Sequence, residues 1–242
     1  VNLQATYGTV VVAANSVIWG NIQTSSGAVG LTSSTVNGNV QADATYNHNG
    51  GAVNGNINAT NGVVLTNVTV SGTVTANSDV SITGSSIAGR VTSSSNKVIA
   101  TNSTLQNGVS GRSGIQISGG TLNGGLESVC NNILLTNITM LAGDIKTSPQ
   151  LGSGCSADRV EIVGGNITAN IVGGANNVII KDGAEFTGNI QARFNVLLDG
   201  STLYGNISGE SGYALQEAKL VNSVVYGSVT VGTSWQRIVG EG

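Results

Sequence analysis

The chain of 242 residues carries a formal net charge of −3 at pH 7, and only 9% of its residues are charged. Its frequent Val and Ile exclude a disordered chain, and its many Gly and β-branched residues exclude a helical repeat. No Lys or Arg precedes Arg90, and no apolar run approaches the ~20 residues of a membrane helix. The composition therefore disfavours nucleic acid as a partner and a membrane span.

The most informative feature is a short motif that recurs about every 17 to 19 positions along the chain. Each copy has a small residue, usually Gly, then a polar residue, usually Asn, then Val or Ile. The clearest copies are Gly20-Asn21-Ile22, Gly38-Asn39-Val40, Gly55-Asn56-Ile57, Gly188-Asn189-Ile190 and Gly205-Asn206-Ile207. Such self-similarity predicts a solenoid, in which each coil buries its apolar face against its neighbours.

The apolar residues fall in columns that predict strands with one buried face. The motif hydrophobe aligns from Leu3 to Val229, which gives about twelve coils. A second apolar column, which includes Ile18, stands four residues earlier, and polar residues alternate with both columns at period two. Pairs such as Val63 and Leu65 indicate another strand in each coil.

Seven residues before the motif hydrophobe, nearly every coil carries Gly or Asn, as at Asn15, Gly50 and Asn67. These residue types tolerate a left-handed backbone, so this column predicts the corner between strands. We therefore predict an all-β fold, a single-stranded parallel β-helix of about twelve short coils, right-handed by the default of parallel crossovers. We expect one domain over residues 1–242, excised from a larger protein because Val1 falls within a coil.

Outward polar residues also align in columns that predict ladders from coil to coil. One column consists of Asn2, Asn21, Asn39, Asn56, Asn170, Asn189 and Asn206. In a parallel stack, identical amides can hydrogen-bond to each other, so stability explains the ladder and a repetitive binding surface is the alternative. His48 and Tyr46 fill slots that hold aliphatic residues in other coils, which predicts a partly buried, hydrogen-bonded histidine rather than a catalytic one.

The largest departure from the repeat is an insertion near residues 147–159, which contains the only proline and Cys155. Cys130 stands at the matching corner of the preceding coil, so we expect a disulfide worth about 3 kcal/mol. A disulfide indicates an oxidising compartment, whereas two reduced thiols are the alternative. One His and two Cys do not make a zinc set, and we expect neither a metal nor a cofactor.

A second insertion, residues 209–218, contains Tyr213. Trp19, Tyr204 and Tyr226 precede the small residue of the motif and are predicted to face outward, where aromatic rings can stack on sugars. These four aromatic residues are candidate binding residues.

Asp182 and Asp199, each followed by Gly, align in adjacent coils and are further candidates. Two neighbouring carboxylates suit a retaining glycosidase or a calcium ion. The alternative is structural, because Asp-Gly is a common turn pair.

The motif followed by Ala, as in Gly38-Asn39-Val40-Gln41-Ala42 and Gly188-Asn189-Ile190-Gln191-Ala192, resembles the passenger and stalk regions of bacterial surface adhesins. These include β-helical proteins of the mannose-sensitive haemagglutinin pilus system. The resemblance implies an extracellular, cell-surface adhesion module without catalysis, whose partners are a glycan or host-cell surface and the other domains of its parent protein. It transfers no known binding residue.

Three alternatives stay open: a passive spacer, a polysaccharide-active β-helix enzyme, and an ice-binding protein. The enzyme is disfavoured because acidic residues are sparse, and the ice-binding protein because paired threonine columns are missing. Cytoskeletal bactofilins have coils of similar length, but the expected disulfide argues against that family.

Overall fold

The structure, a computed structural model, describes residues 2–147, 159–232 and 237–241, and all regular secondary structure in these ranges is β. The chain divides into two compact units, Val1–Arg112 and Ser113–Gly242. The strand pairs in each unit are parallel and join successive turns. The predicted all-β parallel solenoid is therefore confirmed, whereas the single domain and the right hand stay predictions.

Unit 1 is built from short parallel strands. In chain order they are β1 (Leu3–Ala5), β2 (Val10–Val12), β3 (Val17–Ile18), β4 (Ile22–Thr24), β5 (Val29–Val36), β6 (Val40–Ala42), β7 (Tyr46–Val53), β8 (Ile57–Ala59), β9 (Val63–Val70), β10 (Val74–Ala76), β11 (Val80–Thr83), β12 (Ser86–Ile87), β13 (Val91–Ser93), β14 (Val98–Leu105) and β15 (Val109–Gly111). The three-residue strands β1, β4, β6, β8, β10, β13 and β15 stack in order, and we call them the short sheet of unit 1. The other strands form its long sheet.

Unit 2 repeats this plan. Its strands are β16 (Ile115–Leu122), β17 (Leu126–Ser128), β18 (Ile133–Thr136), β19 (Thr139–Met140), β20 (Asp144–Thr147), β21 (Arg159–Val163), β22 (Asn166–Thr168), β23 (Asn170–Ile171), β24 (Asn177–Lys181), β25 (Glu185–Thr187), β26 (Ile190–Ala192), β27 (Asn195–Asp199), β28 (Thr202–Tyr204), β29 (Ile207–Gly209), β30 (Glu217–Val221), β31 (Val224–Tyr226) and β32 (Arg237–Glu241). Strands β17, β20, β23, β26 and β29 form the short sheet of unit 2. With one such strand per turn, the described residues contain about the predicted number of turns.

The strand register confirms the predicted core columns. In unit 1 the motif hydrophobes pair from turn to turn, for example Ile22 with Val40 and Val40 with Ile57, and these three side chains are fully buried. In unit 2, Ile190 pairs with Ile207 in the same way. Since each apolar side chain lies on its equivalent in the next turn, the solenoid buries a continuous column rather than separate clusters.

The predicted corner residues adopt a left-handed backbone. The residues of this column with positive φ include Asn15 (61°), Ser33 (45°), Gly50 (72°), Asn67 (54°), Gly84 (59°), Asn102 (47°), Gly119 (67°), Gly164 (63°), Gly200 (60°) and Asn222 (45°). Asn and Gly tolerate this conformation at little cost, which explains why the column is restricted to so few residue types. The corner prediction is confirmed.

The glycine of the motif has a different role, which is close approach between turns. A Cβ added to Gly72 would lie 2.5 Å from the carbonyl oxygen of Gly55, and one added to Gly89 would lie 2.4 Å from that of Gly72. Neither glycine has a positive φ. Glycine is therefore required here because the backbone of the preceding turn occupies the space of a side chain.

The asparagine of the motif joins successive turns through its side-chain oxygen. The backbone N–H of Asn39 donates to Asn21 Oδ1 at 2.8 Å, that of Asn56 to Asn39 Oδ1 at 2.8 Å, and that of Thr73 to Asn56 Oδ1 at 2.8 Å. The predicted ladder thus exists, but its main bonds run from backbone to side chain. A bond between two amides joins Asn206 Nδ2 to Asn189 Oδ1 at 3.0 Å.

We predict that Gly72→Ala lowers the free energy of unfolding by about 1–3 kcal/mol, because its Cβ must displace the preceding turn. Gly30→Ala is the matched control, since a Cβ there meets nothing within 4 Å. Urea unfolding followed by circular dichroism measures both values. Equal effects of the two substitutions would contradict the role assigned to the motif glycine.

Candidate functional site

Two exposed tyrosines lie side by side on the long sheet of unit 2. Tyr204 in β28 pairs with Tyr226 in β31, and their ring centroids are 4.9 Å apart with an angle of 4° between the ring planes. The two residues are 48% and 62% exposed, and Val224 on the same strand is 48% exposed. We call Tyr204, Val224 and Tyr226 the tyrosine surface. The prediction that both tyrosines face outward is confirmed.

The sequence placed both tyrosines in one column but did not reveal that they touch. The insertion 209–218 lengthens the coil between them, but the repeat still aligns them on successive turns. Once the strands pair in register, two aromatic rings at the same position stack on each other.

The carboxylate of Glu210 joins the insertion 209–218 to neighbouring turns through hydrogen bonds. Glu210 Oε2 accepts a hydrogen bond from Arg193 Nε at 2.6 Å and another from the backbone N–H of Gly174 at 3.1 Å. The side chains of Arg193 and Glu210 are each only 18% exposed, so solvent screens this charge-assisted bond weakly. Leu215, farther along the insertion, is completely buried.

Tyr213 is presented by this fastened insertion. The guanidinium carbon of Arg193 lies 4.7 Å from the centre of the Tyr213 ring, a cation–π distance. The residue remains 45% exposed. Arg193 therefore holds both the carboxylate and the aromatic ring, so that Tyr213 keeps a defined position while its outer part faces solvent.

Trp19 belongs to unit 1, where it directly follows β3 and is 76% exposed. Tyr7, at 85%, and Val11, at 78%, are also strongly exposed in the first turn of this unit. The predicted outward position of Trp19 is confirmed, and its role in binding stays a prediction.

The predicted alignment of Asp182 with Asp199 is wrong by one residue. Asp199 pairs with Lys181, and the backbone N–H of Asp182 donates to the Asp199 carbonyl oxygen at 3.1 Å. The coil contains one extra residue at this corner, where both Asp182 and Gly183 have positive φ, at 57° and 76°. The geometry favours the turn interpretation, because the two carboxylates do not occupy equivalent positions.

Lys181 bonds to a different acid. Its Nζ lies 3.0 Å from Glu161 Oε1, while Arg159 lies 2.9 Å from the other carboxylate oxygen. The hydrogen bond and the negative charge of Glu161 raise the pKa of Lys181. These are ion pairs at the surface of the long sheet, and such pairs contribute little to stability.

The predicted disulfide lies partly outside the described residues. Cys130 is half-buried at the corner that follows β17. Cys155 and most of the insertion 147–159, from residue 148 to residue 158, lie outside the described ranges. The Cys130–Cys155 pairing stays a prediction.

His48 and Tyr46 form a buried polar pair in unit 1, as predicted. The hydroxyl of Tyr46 lies 2.9 Å from His48 Nδ1, and His48 Nε2 lies 3.1 Å from the carbonyl oxygen of Ser34. Since a carbonyl only accepts, Nε2 donates and Nδ1 accepts from the tyrosine. His48 is only 2% exposed, and burial lowers its pKa despite the opposing backbone hydrogen bonds of Ser34 and Gly50.

No cluster of three or more His, Cys, Asp or Glu side chains placed to hold a metal ion occurs in the ranges that the structure describes. Within the same ranges there is no helix of the length and apolarity needed to cross a membrane. No family model, no curated protein and no solved structure matches the chain.

We predict that His48 makes the protein less stable in mild acid. The unfolded histidine has a pKa near 6.5 and the folded one a lower pKa, so the unfolded chain binds the proton first. The free energy of unfolding then falls as the pH is lowered below about 6.5. The double variant Tyr46→Phe/His48→Leu should lose this dependence above pH 5, measured by urea unfolding at a series of pH values.

The single variants supply the control for that measurement. Tyr46→Phe leaves His48 Nδ1 without a donor, and His48→Leu leaves the tyrosine hydroxyl unpaired, so each should cost about 1–3 kcal/mol. Replacing both restores an apolar column and should cost less than either single change. An additive double variant would contradict the hydrogen-bonded pair.

We predict that Glu210→Ala loosens the insertion 209–218. Loss of its two charge-assisted bonds should raise amide hydrogen exchange in the insertion about tenfold or more, as expected for interactions of about 1.5–3 kcal/mol. Hydrogen exchange read by mass spectrometry measures the effect. Glu185→Ala, an exposed carboxylate on β25, is the control and should leave exchange in the insertion unchanged.

Proposed function

We propose that the chain is an extracellular, cell-surface adhesion module that acts by contact and not by catalysis. The observation that carries this proposal is the tyrosine surface, which exposes two stacked rings and a valine on regular strands of unit 2. Aromatic rings are enriched at binding surfaces because they bury a large area with few rotatable bonds. The resemblance of the repeat to bacterial adhesin stalks, including pilus-associated ones, supports the same role.

The order of the scaffold is consistent with a binding function. The tyrosine surface lies on paired strands, and Tyr213 is held by Arg193 and Glu210. A binding surface that is already ordered loses less conformational entropy when the partner arrives. Asp182 adopts a left-handed backbone beside Gly183, as a turn residue does, and this agrees with adhesion rather than with glycoside hydrolysis.

The proposal includes an oxidising location. A disulfide between Cys130 and Cys155 would close the insertion 147–159 onto the preceding coil, and such bonds persist outside the cytoplasm. Peptide mass mapping of the protein, with and without reduction, tests this part. A linked peptide pair that separates on reduction supports it, and two alkylatable thiols in the native protein would contradict it.

We predict that Tyr204→Ser/Tyr226→Ser abolishes most of the binding to whichever glycan or cell surface retains the wild-type protein on a glycan array or in an attachment assay. Removal of two aromatic contacts of about 1.4 kcal/mol or more together should weaken binding at least tenfold. Leu141→Ser is the matched control, because Leu141 is another outward apolar residue of unit 2, with 56% exposure.

The outcomes separate adhesion from the spacer function. Binding that is lost in the tyrosine variant and kept in the Leu141 variant supports adhesion through the tyrosine surface. Absence of wild-type binding to any glycan or cell surface would favour a passive spacer. Turnover of a polysaccharide by the wild-type protein would instead establish an enzyme.

A further inference from the structure

The short sheet of unit 1 carries an uncharged surface made of side-chain amides. Gln4, Gln23 and Gln41 pair in register on β1, β4 and β6, and each is exposed. The asparagine of the motif lies two residues before each of these glutamines, as Asn21 does before Gln23. We call the exposed residues Asn21, Asn39, Asn56, Gln4, Gln23 and Gln41 the amide face.

The asparagines of this face have fixed orientations. Because Oδ1 of Asn21, Asn39 and Asn56 accepts the backbone N–H of the following turn, each Nδ2 is left as the free end of the amide. Within the described residues these three Nδ2 groups donate to no protein acceptor. Parallel strands lie ~4.8 Å apart, so the face presents a row of oriented N–H donors at that spacing.

The glutamines of the amide face contribute no hydrogen bond to the fold. The side chains of Gln4, Gln23 and Gln41 bond to no group in the part of the chain that the structure describes, and their donors and acceptors therefore remain available to a ligand. Hydrogen bonds within the fold explain the asparagine column, but among the described residues they do not explain the glutamine column beside it.

The charge of the surroundings restricts the ligand. Between residues 2 and 59 the sequence contains one formally charged residue, Asp43, and no Lys or Arg. An anionic polymer would find no cation among the residues of the amide face, since Arg90 continues the asparagine column only two turns beyond Asn56, and a cationic polymer would find a single carboxylate. These surroundings favour a neutral ligand that is rich in oxygen acceptors and repeats along the row of donors.

The spacing distinguishes between two neutral polymers. An extended peptide rises about 3.3 Å per residue, so carbonyls on one side recur at about twice that distance and do not match strands ~4.8 Å apart. The sugars of an extended β-linked glycan advance by nearly one strand spacing each, and their hydroxyl groups both accept and donate hydrogen bonds. Because successive sugars of a β-1,4-linked chain face opposite ways, a linear glycan laid across the strands presents equivalent hydroxyl groups to the amides of every second turn.

The geometry points to a second adhesive site: the amide face of unit 1 binds an uncharged, linear, β-linked polysaccharide. This inference rests on the proposed adhesive function and names a ligand class for a surface other than the tyrosine surface. The contact consists of hydrogen bonds from Asn Nδ2 groups and glutamine amides to sugar oxygens. Because no ion pair takes part, binding should not depend on salt concentration.

The test is sedimentation of the purified chain with microcrystalline cellulose, with crystalline chitin and with amylose, a neutral glycan whose α-linkages coil the chain. We expect saturable binding to at least one of the two β-linked polymers and none to amylose. Absence of binding to both β-linked polymers, or equal binding to amylose, would overturn the inference.

A matched pair of variants locates the site. Asn39→Asp keeps the oxygen that accepts the N–H of Asn56 but replaces the Nδ2 donor, and it should weaken binding about tenfold. Asn189→Asp makes the same change at the equivalent motif position of unit 2, where the N–H of Asn206 is the donor, and should leave binding unchanged. Equal loss in both variants would overturn the assignment.

Two further variants serve as controls. One shows whether lost binding reflects lost folding, and the other shows whether the glycan binds to the tyrosine surface. Gln23→Thr/Gln41→Thr removes no hydrogen bond of the fold and places no like charges on these paired strands, so it should also weaken binding, with an unchanged melting temperature. Tyr204→Ser/Tyr226→Ser should sediment like the wild type. Loss of sedimentation in the tyrosine variant alone would assign the glycan to the tyrosine surface and overturn the role of the amide face, while leaving the proposed adhesive function intact.

Discussion

The contact between the Gly-Asn motifs of successive turns is the constraint on which the rest of the structure depends. Glycine lets the backbone of one turn approach that of the turn before, and the asparagine oxygen then accepts the next backbone N–H. Together they set the distance and the register between turns. With the register fixed, every apolar side chain lies on its equivalent, and the core follows without further specification.

The sequence was sufficient for the core and the corners because both depend on residue type at a fixed interval. Val40 and Ile57 identify a buried column, and Asn67 or Gly84 identifies a left-handed corner, without knowledge of distant contacts. The hydrogen bonds of the asparagine column were predicted less well. A side-chain amide can bond to another amide or to a backbone N–H. Only the three-dimensional geometry of the motif shows that the bond to the backbone N–H is the one that forms.

The candidate site was predicted less completely than the fold. It lies in the coils where the number of residues per turn departs from the regular repeat. One extra residue beside Gly183 shifts Asp182 out of register with Asp199, and the repeat aligns Tyr204 with Tyr226 without showing that their rings touch. The hydrogen bonds of Glu210 to Arg193 and Gly174 join residues that are far apart in sequence. No local sequence pattern predicts such bonds. Irregular coils therefore have to be aligned in space before their surfaces can be interpreted.

The same asparagine amide connects stability with surface chemistry. Its oxygen is used to hold the next turn, and this bond removes the rotational freedom that an exposed amide normally keeps. A ligand that accepts a hydrogen bond from Nδ2 therefore meets a donor whose orientation is already fixed, so the entropic cost of ordering that side chain on binding is small. A solenoid that repeats this Gly-Asn motif gains an ordered row of Nδ2 donors as a direct consequence of folding.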